Sequence, residues 1–175
     1  MTKTFLGAMA ALLLLAACNQ TAPNAEAPSD EMGPMPVVAG LYDSGPLSTD
    51  ADYLSVWFTR EMADALAANA AGPEAERIDF DYRSWAIDPE VEDIRYAVGQ
   101  HAEPGHAEIS TRFGYEGLPG GMNLRWDMCR LADGQWRIAN VTAIAVSDAP
   151  EATASEEISL RPMIGLDPVP PAQCV

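Results

Sequence analysis

The chain has 175 residues and a formal net charge of −16, from 10 basic and 26 acidic residues. This excess of acid argues against binding to nucleic acid or to anionic lipid headgroups, because both need cationic contacts. Hydrophobic residues make up 48% of the sequence, which is enough for one globular core. The chain is too short for a second domain beside it.

The first 18 residues have the organisation of a secretory signal. Lys3 precedes an apolar run from Phe5 to Leu15, and two alanines follow. The run is too short to cross a hydrocarbon core of about 30 Å. Its end, Leu15-Ala16-Ala17-Cys18, resembles the lipobox of bacterial lipoproteins, which implies a signal peptide over residues 1–17 and a lipid on Cys18. An ordinary signal, in which the cysteine stands there by chance, is the alternative.

The lipobox resemblance also implies a location. Asn19 rather than Asp follows the cysteine, which by resemblance to enterobacterial sorting favours the outer membrane over the inner membrane. Residues 18–35 are rich in Ala, Pro, Asn and acid without a hydrophobic period, so we predict a flexible tether after the lipidated cysteine. We therefore expect a domain that is anchored by lipid in the bacterial cell envelope and faces the periplasm.

Helices are predicted to open the folded part, near residue 36. Apolar residues from Val37 to Tyr42 stand at helical spacing, and Pro36 suits a first helical position. A second helical stretch is predicted from about residue 49 to 69, with a kink where Thr59 could cap a new turn. Residues 74–89 have no clear period and are predicted to form a loop with at most one helical turn.

Three turn signals divide the next residues into four strands. The signals are Pro104-Gly105, Pro119-Gly120-Gly121 and Asp133-Gly134. The predicted strands are residues 91–99, 106–116, 122–131 and 135–146. Each strand alternates apolar with charged residues, so the four are expected to form an antiparallel meander with one solvated face and one face under the helices.

Two cysteines remain once Cys18 is assigned to the lipid. In an oxidising compartment, Cys129 and Cys174 are expected to form a disulfide. Alternation places Cys129 on the polar side of its strand, where the Pro- and acid-rich tail of residues 147–175 could reach it. Two separate thiols, with Cys129 buried, are the alternative.

Helices followed by a bent meander are the order of the NTF2-like, or cystatin-like, α+β cone. Five stretches resemble the bacterial secreted and lipoprotein members of the DUF3828 family. They are Val38 to Tyr42, Tyr53 to Thr59, Met62 to Leu66, Asp79 to Asp81 and the closing Asp133-Gly134-Gln135-Trp136-Arg137-Ile138. The resemblance implies an NTF2-like domain over residues 36–146, and since that family has no established activity, it supplies no catalytic residues. The long tail departs from the short ending that the resemblance implies.

The inward face of such a cone is predicted to form a ligand pocket. The polar groups would be Thr111, Asn140 and Thr142, and the walls would be Tyr96, Trp126 and Trp136. Two alternatives stay open: a bulge near Asn140 that turns it outward, or a filled core whose hydroxyl groups are satisfied.

The chain shows no clear catalytic or metal-binding set. Asp127 alternates onto the solvated face, so no strand supplies an inward general base. His101 and His106 flank a turn and could bind a divalent metal across it, but a solvated turn is the simpler interpretation. We predict no enzyme, no metal and no cofactor.

The predicted function is binding without catalysis, to an envelope protein or to a small amphipathic ligand. One alternative is a pocket enzyme of the isomerase or hydrolase kind found elsewhere on this fold. Another is an inhibitor of an envelope enzyme, which would insert the loop that carries Tyr82 and Trp85 into its partner.

Overall fold

The computed structural model describes residues 33–87, 91–99, 103–115, 118–144 and 157–170. The predicted signal, Cys18 and nearly all of the predicted tether lie outside these ranges, as do His101 and Cys174. No helix within the described ranges is long and apolar enough to cross a membrane.

Over the described residues the fold is α+β, with three helices ahead of a five-stranded antiparallel sheet and a short helix after it. The helices are α1 (Pro34–Asp43), α2 (Ala51–Trp57), α3 (Arg60–Ala71) and α4 (Leu160–Met163), with one 3-10 turn at Glu74–Glu76. The strands are β1 (Glu92–Gly99), β2 (His106–Tyr115), β3 (Leu118–Arg130), β4 (Trp136–Ile144) and β5 (Glu157–Ser159).

Side-chain caps set the starts of α2 and α3. The Asp50 carboxylate accepts hydrogen bonds from the backbone N–H groups of Asp52 (2.9 Å) and Tyr53 (3.3 Å). The Thr59 hydroxyl accepts one from the N–H of Met62 (3.5 Å). Such caps satisfy amide groups that the first helical turn leaves unpaired. The predicted break of the second helical stretch at Thr59 is confirmed.

The sheet is a simple meander in the order β1-β2-β3-β4-β5. The four predicted strands are confirmed to within a few residues. All three predicted turn signals contain a glycine in the left-handed region, Gly105 (φ 80°), Gly121 (φ 73°) and Gly134 (φ 88°), a conformation that is open to glycine and strained for most other residues. The predicted turn at Pro119-Gly120-Gly121 is wrong, because these residues belong to β3. The turns at Gly105 and Gly134 are confirmed. These turns fix the hairpins that join β1 to β2 and β3 to β4.

The tail adds a fifth strand that the sequence did not predict. Ser159 pairs with Thr142, and Glu157 pairs with Ile144, so β5 extends the sheet beyond β4. A strand of three residues has no period that could reveal it, and its pairing with β4 defines it. The predicted four-stranded meander is therefore incomplete.

One face of the sheet, the helix-covered face, carries the core. Helix α1 contacts β1, β2 and β4, while α2 and α3 contact β4. The fully buried apolar residues of the strands on this face are Ile109, Phe113, Leu124, Trp126, Met128, Ile138, Val141 and Ala143. The opposite side of the sheet is here called the outer face.

A bulge in β4 changes which residues reach each face. Asp127 pairs with Asn140, but the next residue, Met128, pairs with Ile138. Ala139 is therefore the extra residue of a β-bulge, which reverses the alternation beyond it. Asn140 and Thr142 consequently lie on the outer face, so the placement of both residues on the helix-covered face was wrong. The alternative, a bulge near Asn140, is the observed arrangement.

The tail docks on this bulge through Arg161, of which only 1% is exposed. Its guanidinium donates to the carbonyl oxygens of Ala139 (3.2 Å) and Asp167 (2.6 Å). It also pairs with the Glu61 carboxylate of α3 at 3.1 Å. A buried guanidinium needs such partners for its N–H groups. Arg161 thus joins the tail, the bulge and α3.

Candidate functional site

The centre of the predicted pocket is filled by a hydrogen-bonded aromatic cluster, here called the inner cluster (Tyr42, Thr111 and Trp126). The indole N–H of Trp126 donates to the Thr111 hydroxyl at 3.0 Å. That hydroxyl lies 3.3 Å from the Tyr42 hydroxyl, which donates to the Arg83 carbonyl at 2.5 Å. Thr111 is fully buried. At Thr111 the predicted pocket is therefore absent, and the alternative, a filled core with satisfied hydroxyl groups, is the observed arrangement.

Aromatic packing closes the inner cluster further. The ring of Tyr42 meets those of Tyr96, Phe113 and Trp126 edge-on, at centroid distances of 6.2, 6.2 and 5.8 Å. Edge-on contacts at these distances are favourable for aromatic pairs. Burial raises the pKa of Tyr42 well above its usual value, so its hydroxyl stays protonated.

The other polar members of the predicted pocket lie on the outer face. The Asn140 amide donates to the Asp127 carboxylate (3.0 Å) and to the Thr142 hydroxyl (3.2 Å). Its carbonyl oxygen accepts from the Ser159 hydroxyl (3.0 Å). The prediction that Asn140 and Thr142 converge with Thr111 is therefore wrong, and this network instead holds β5 to the sheet.

The remaining predicted walls, Tyr96 and Trp136, lie far apart in the sheet. Tyr96 is half-buried on β1, which is an edge strand, whereas Trp136 is half-buried at the start of β4. Two strands separate β1 from β4. The six predicted residues therefore do not enclose one cavity.

Charged residues of the outer face form an ion-pair network around Arg125. Its guanidinium makes two hydrogen bonds to the Glu157 carboxylate (3.1 and 2.9 Å) and lies 3.8 Å from Asp127 and 4.0 Å from Glu108. The hydrogen bonds from Arg125 lower the pKa of Glu157. A two-pronged arginine–carboxylate pair of this kind fixes geometry, and here it fixes β5 against β3.

The tail reaches the surroundings of Cys129. Cys129 is fully buried on β3 and is paired in register with His106. A hollow of about 280 Å³ beside His106 is lined by Pro170, four residues before Cys174. Cys174 itself lies outside the described residues, so the bridge to Cys129 stays a prediction, which peptide mapping without reductant tests.

The predicted histidine pair lies only partly within the described residues. His101 lies outside the described residues, and His106 lies 3.9 Å from the carboxylate of Glu103. Within the described ranges, no three His, Cys, Asp or Glu side chains are grouped so that they could hold a metal.

The loop of residues 78–87 is held against α1, and its exposed apolar residue is neither Tyr82 nor Trp85, the two that were predicted. Arg83 binds the Asp81 carboxylate (2.7 Å) and donates to the carbonyl oxygens of Leu41 (3.2 Å) and Gly45 (2.7 Å). These bonds join the loop to the end of α1. The exposed apolar residue of the loop is Ile87, at 69% exposure.

Tyr82 and Trp85, predicted to be available to a partner, are directed toward the domain. Only 7% of Tyr82 is exposed, and its ring packs edge-on against Phe58 at 5.5 Å. Trp85 is half-buried, and its ring lies 5.1 Å from that of Phe80. The expectation that this pair forms an inserting tip is therefore wrong, because both rings are used in packing.

A cavity that the sequence did not predict lies beneath this loop. The loop cavity has a volume of about 160 Å³ and lies between the segment after α1, the helices α2 and α3, and the loop. Its walls are Leu47, Ser48, Thr49, Leu54, Leu66, Asn69, Ala70, Ile78, Phe80 and Tyr82. The hydroxyl of Tyr82 is buried and has no hydrogen-bond partner within the described residues. Burial raises the pKa of Tyr82 well above its usual value, which keeps that hydroxyl protonated.

The loop cavity adjoins a more open hollow of about 540 Å³, here called the outer hollow. Leu47, Ile78 and Phe80 line both spaces. The other walls of the outer hollow are Pro46, Asp79, Asp81, Arg83 and Ile87. Together the two spaces provide an apolar interior with a charged entrance, the usual arrangement of a ligand site.

The comparisons with protein-family models, curated proteins and solved structures find no match for this chain. The resemblances to the DUF3828 family and to the lipobox therefore remain predictions.

Proposed function

We propose that this protein is a lipid-anchored component of the bacterial cell envelope, attached through Cys18 to the outer membrane, whose periplasmic NTF2-like domain binds a small amphipathic ligand without catalysis. The loop cavity, with the outer hollow at its entrance, is the observation that carries the proposal. The signal-like residues 1–17 support the location, and three helices ahead of an antiparallel meander support the domain type.

The shape and chemistry of the loop cavity favour binding. Of its ten walls within the described residues, seven are uncharged apolar or aromatic side chains, Tyr82 among them, and three are polar and uncharged. Apolar surface drives the association of an apolar group, and the few polar groups orient it. A ligand with one apolar and one polar end fits this division, because the apolar cavity opens toward charged residues.

The walls of the loop cavity give no support to catalysis. Among the described residues they include no carboxylate, imidazole or thiol, so these residues place no general base or nucleophile of those types in the cavity. The nearest acids, Asp79 and Asp81, line the outer hollow, where Asp81 is bound to Arg83. The polar groups of the cavity are therefore suited to positioning a ligand.

Native mass spectrometry of the full-length protein, extracted from its own membranes in mild detergent, tests the proposal. We expect a retained small molecule in addition to the lipid. Ala70→Leu should displace it, because Ala70 is a cavity wall and the larger side chain takes ligand space. Ala68→Leu is the matched control, since Ala68 is exposed on the same helix.

Two results would contradict the proposal. A protein that retains no molecule, with Ala70→Leu indistinguishable from Ala68→Leu, would remove the binding role of the loop cavity. Cys18→Ala should release the protein from membranes because it removes the attachment point. Persistent association of that variant with membranes would contradict the lipid anchor.

A second candidate function is inhibition of, or docking to, an envelope protein through Ile87. Its side chain is 69% exposed on a loop that Arg83 fixes in place, and a rigid apolar tip suits insertion into a partner. Ile87→Ser should then abolish co-purification of the partner, whereas Ala70→Leu, inside the loop cavity, should leave it unchanged. Unchanged co-purification would exclude this function.

A further inference from the structure

We propose that the ligand of the loop cavity is an amphipathic cation. Its apolar group is about the size of a benzene ring and carries a hydrogen-bond acceptor for Tyr82, and its positive charge lies in the outer hollow. This inference rests on the proposed function of the same cavity and names the chemistry that it selects.

The size of the apolar group follows from the cavity volume. An engineered apolar cavity of about 150 Å³ in another protein stays dry and binds benzene. The loop cavity has a similar volume, about 160 Å³. Leu54 and Leu66 are buried walls, and Phe80 is a half-buried one. A single aromatic ring or a branched chain of similar volume therefore fits, whereas a long acyl chain does not.

The hydrogen-bond acceptor is required by Tyr82. Two of the other polar walls already have partners: the Asn69 side chain binds the carbonyl of Glu76 (3.0 Å) and the N–H of Ile78 (2.9 Å), and the Ser48 hydroxyl accepts from the N–H of Asp50 (3.1 Å). The third, Thr49, is exposed to solvent. The Tyr82 hydroxyl has none among the described residues. A buried donor without an acceptor is unfavourable, so a ligand that supplies the acceptor gains affinity.

An unpaired polar atom alone does not define a site, as Trp57 shows. Its indole N–H is also buried without a partner among the described residues. A methyl group added at Gly40 would approach the Trp57 ring to 2.9 Å, so this ring is packed tightly against α1. Tyr82 differs because its side chain borders open volume.

The positive charge follows from the acids at the entrance. Asp81 is neutralised by Arg83, which also donates to two carbonyl groups. Asp79 is exposed and forms no ion pair with the described residues, which leaves the outer hollow with a net negative charge. The chain as a whole carries −16. A cationic group is therefore attracted to the entrance and an anionic group is repelled.

Calorimetric titration of the full-length protein in mild detergent tests these three features with three probes. The first probe, 4-methoxyphenethylamine, has the ring, the acceptor and the cation. The second, 4-ethylphenethylamine, lacks the acceptor, and the third, 4-methoxyphenylacetate, reverses the charge. We expect the first to bind about fivefold to tenfold more tightly than the second, as a single hydrogen bond provides, and the third to bind more weakly than both.

Variants assign each preference to a residue. Tyr82→Phe should remove the preference for the methoxy probe over the ethyl probe and leave the affinity for the ethyl probe unchanged. Asp79→Asn should weaken the two amines but not the acetate, whereas Asp64→Asn, on the exposed side of α3, should change neither. Thermal unfolding of Tyr82→Phe at or above the wild-type temperature establishes that the variant is folded.

The outcomes separate this inference from the proposed function. Equal affinity of the wild type for the methoxy and ethyl probes overturns the role of Tyr82, and acetate binding as tight as amine binding overturns the cation. If no probe binds, but mass spectrometry detects a native molecule that Ala70→Leu displaces, the ligand class is wrong and the binding function stands. If no probe binds and mass spectrometry detects no native molecule, both the ligand class and the binding function are wrong.

Discussion

The inner cluster and the loop cavity both place a tyrosine hydroxyl in an apolar environment, yet they differ in how that hydroxyl is satisfied. Tyr42 has the Arg83 carbonyl and the Thr111 hydroxyl as neighbours, whereas Tyr82 has no partner within the described residues and borders open volume. A satisfied polar group in a closed core indicates a structural role, while an unsatisfied group beside a cavity indicates a place for a ligand. Three measurements test this contrast, and the largest expected effect comes first.

Trp126→Ala should destabilise the protein the most. Trp126 is fully buried on β3 and joins the Tyr42 ring to the Thr111 hydroxyl. Truncation of a buried Trp costs about 3–5 kcal/mol of unfolding free energy. Denaturant unfolding of the full-length protein measures this loss. Trp85→Ala, at a half-buried position on the loop, should cost less, and equal losses would contradict a structural centre at the inner cluster.

The two hydroxyl groups provide a matched pair for the second measurement. Thr111→Val keeps the shape but removes the acceptor of the Trp126 indole, so it should cost about 1–3 kcal/mol. Tyr82→Phe removes a hydroxyl that has no partner among the described residues, so it should leave the stability unchanged or slightly raised. The comparison of the two unfolding midpoints is the readout. A larger loss for Tyr82→Phe would mean that Tyr82 is structural and would remove the contrast.

The sequence predicted the turns that join β1 to β2 and β3 to β4 because both turns are chemically marked. Gly105 and Gly134 occupy left-handed positions, and the strands between these turns, of 10 and 13 residues, are long enough to show a clear alternation. The helix break was predictable for the same reason, since Thr59 is a capping residue. Local signals of this kind determine elements without help from the rest of the fold.

The bulge and the fifth strand lacked such signals. Ala139 is small enough to lie on either face of the sheet. An extra residue at this position therefore leaves an apolar–polar pattern in the sequence that still resembles regular alternation. The shift becomes visible only in the pairing of Asp127 with Asn140 and of Met128 with Ile138. The three residues of β5 depend on β4 and on Arg125, which are distant in sequence.

The loop cavity was unpredictable for a related reason. Its walls come from separate segments around Leu47, Leu66 and Tyr82, so no single stretch has the pattern of a pocket. The aromatic residues of the loop were visible in the sequence, but whether they pack inward or outward depends on the bonds from Arg83 to Leu41 and Gly45. Sequence reasoning therefore located the loop correctly and assigned its rings the wrong role.

The third and smallest effect is a loss of stability at alkaline pH. Burial raises the pKa of Tyr42 and of Tyr82, so the folded protein keeps both rings neutral while the unfolded chain ionises them above about pH 10. Stability therefore falls as the pH rises past that point, by up to about 1.4 kcal/mol per pH unit for each tyrosine. Denaturant unfolding at pH 9 and at pH 11 measures this loss. The unfolding free energy of Tyr82→Phe should fall by roughly 1 kcal/mol less than that of the wild type, because the contribution of Tyr82 is absent. Thr111→Val, which removes no tyrosine, should lose as much as the wild type. If Tyr82→Phe also lost as much, Tyr82 would ionise in the folded protein, and its hydroxyl could not serve as the fixed hydrogen-bond donor of the loop cavity.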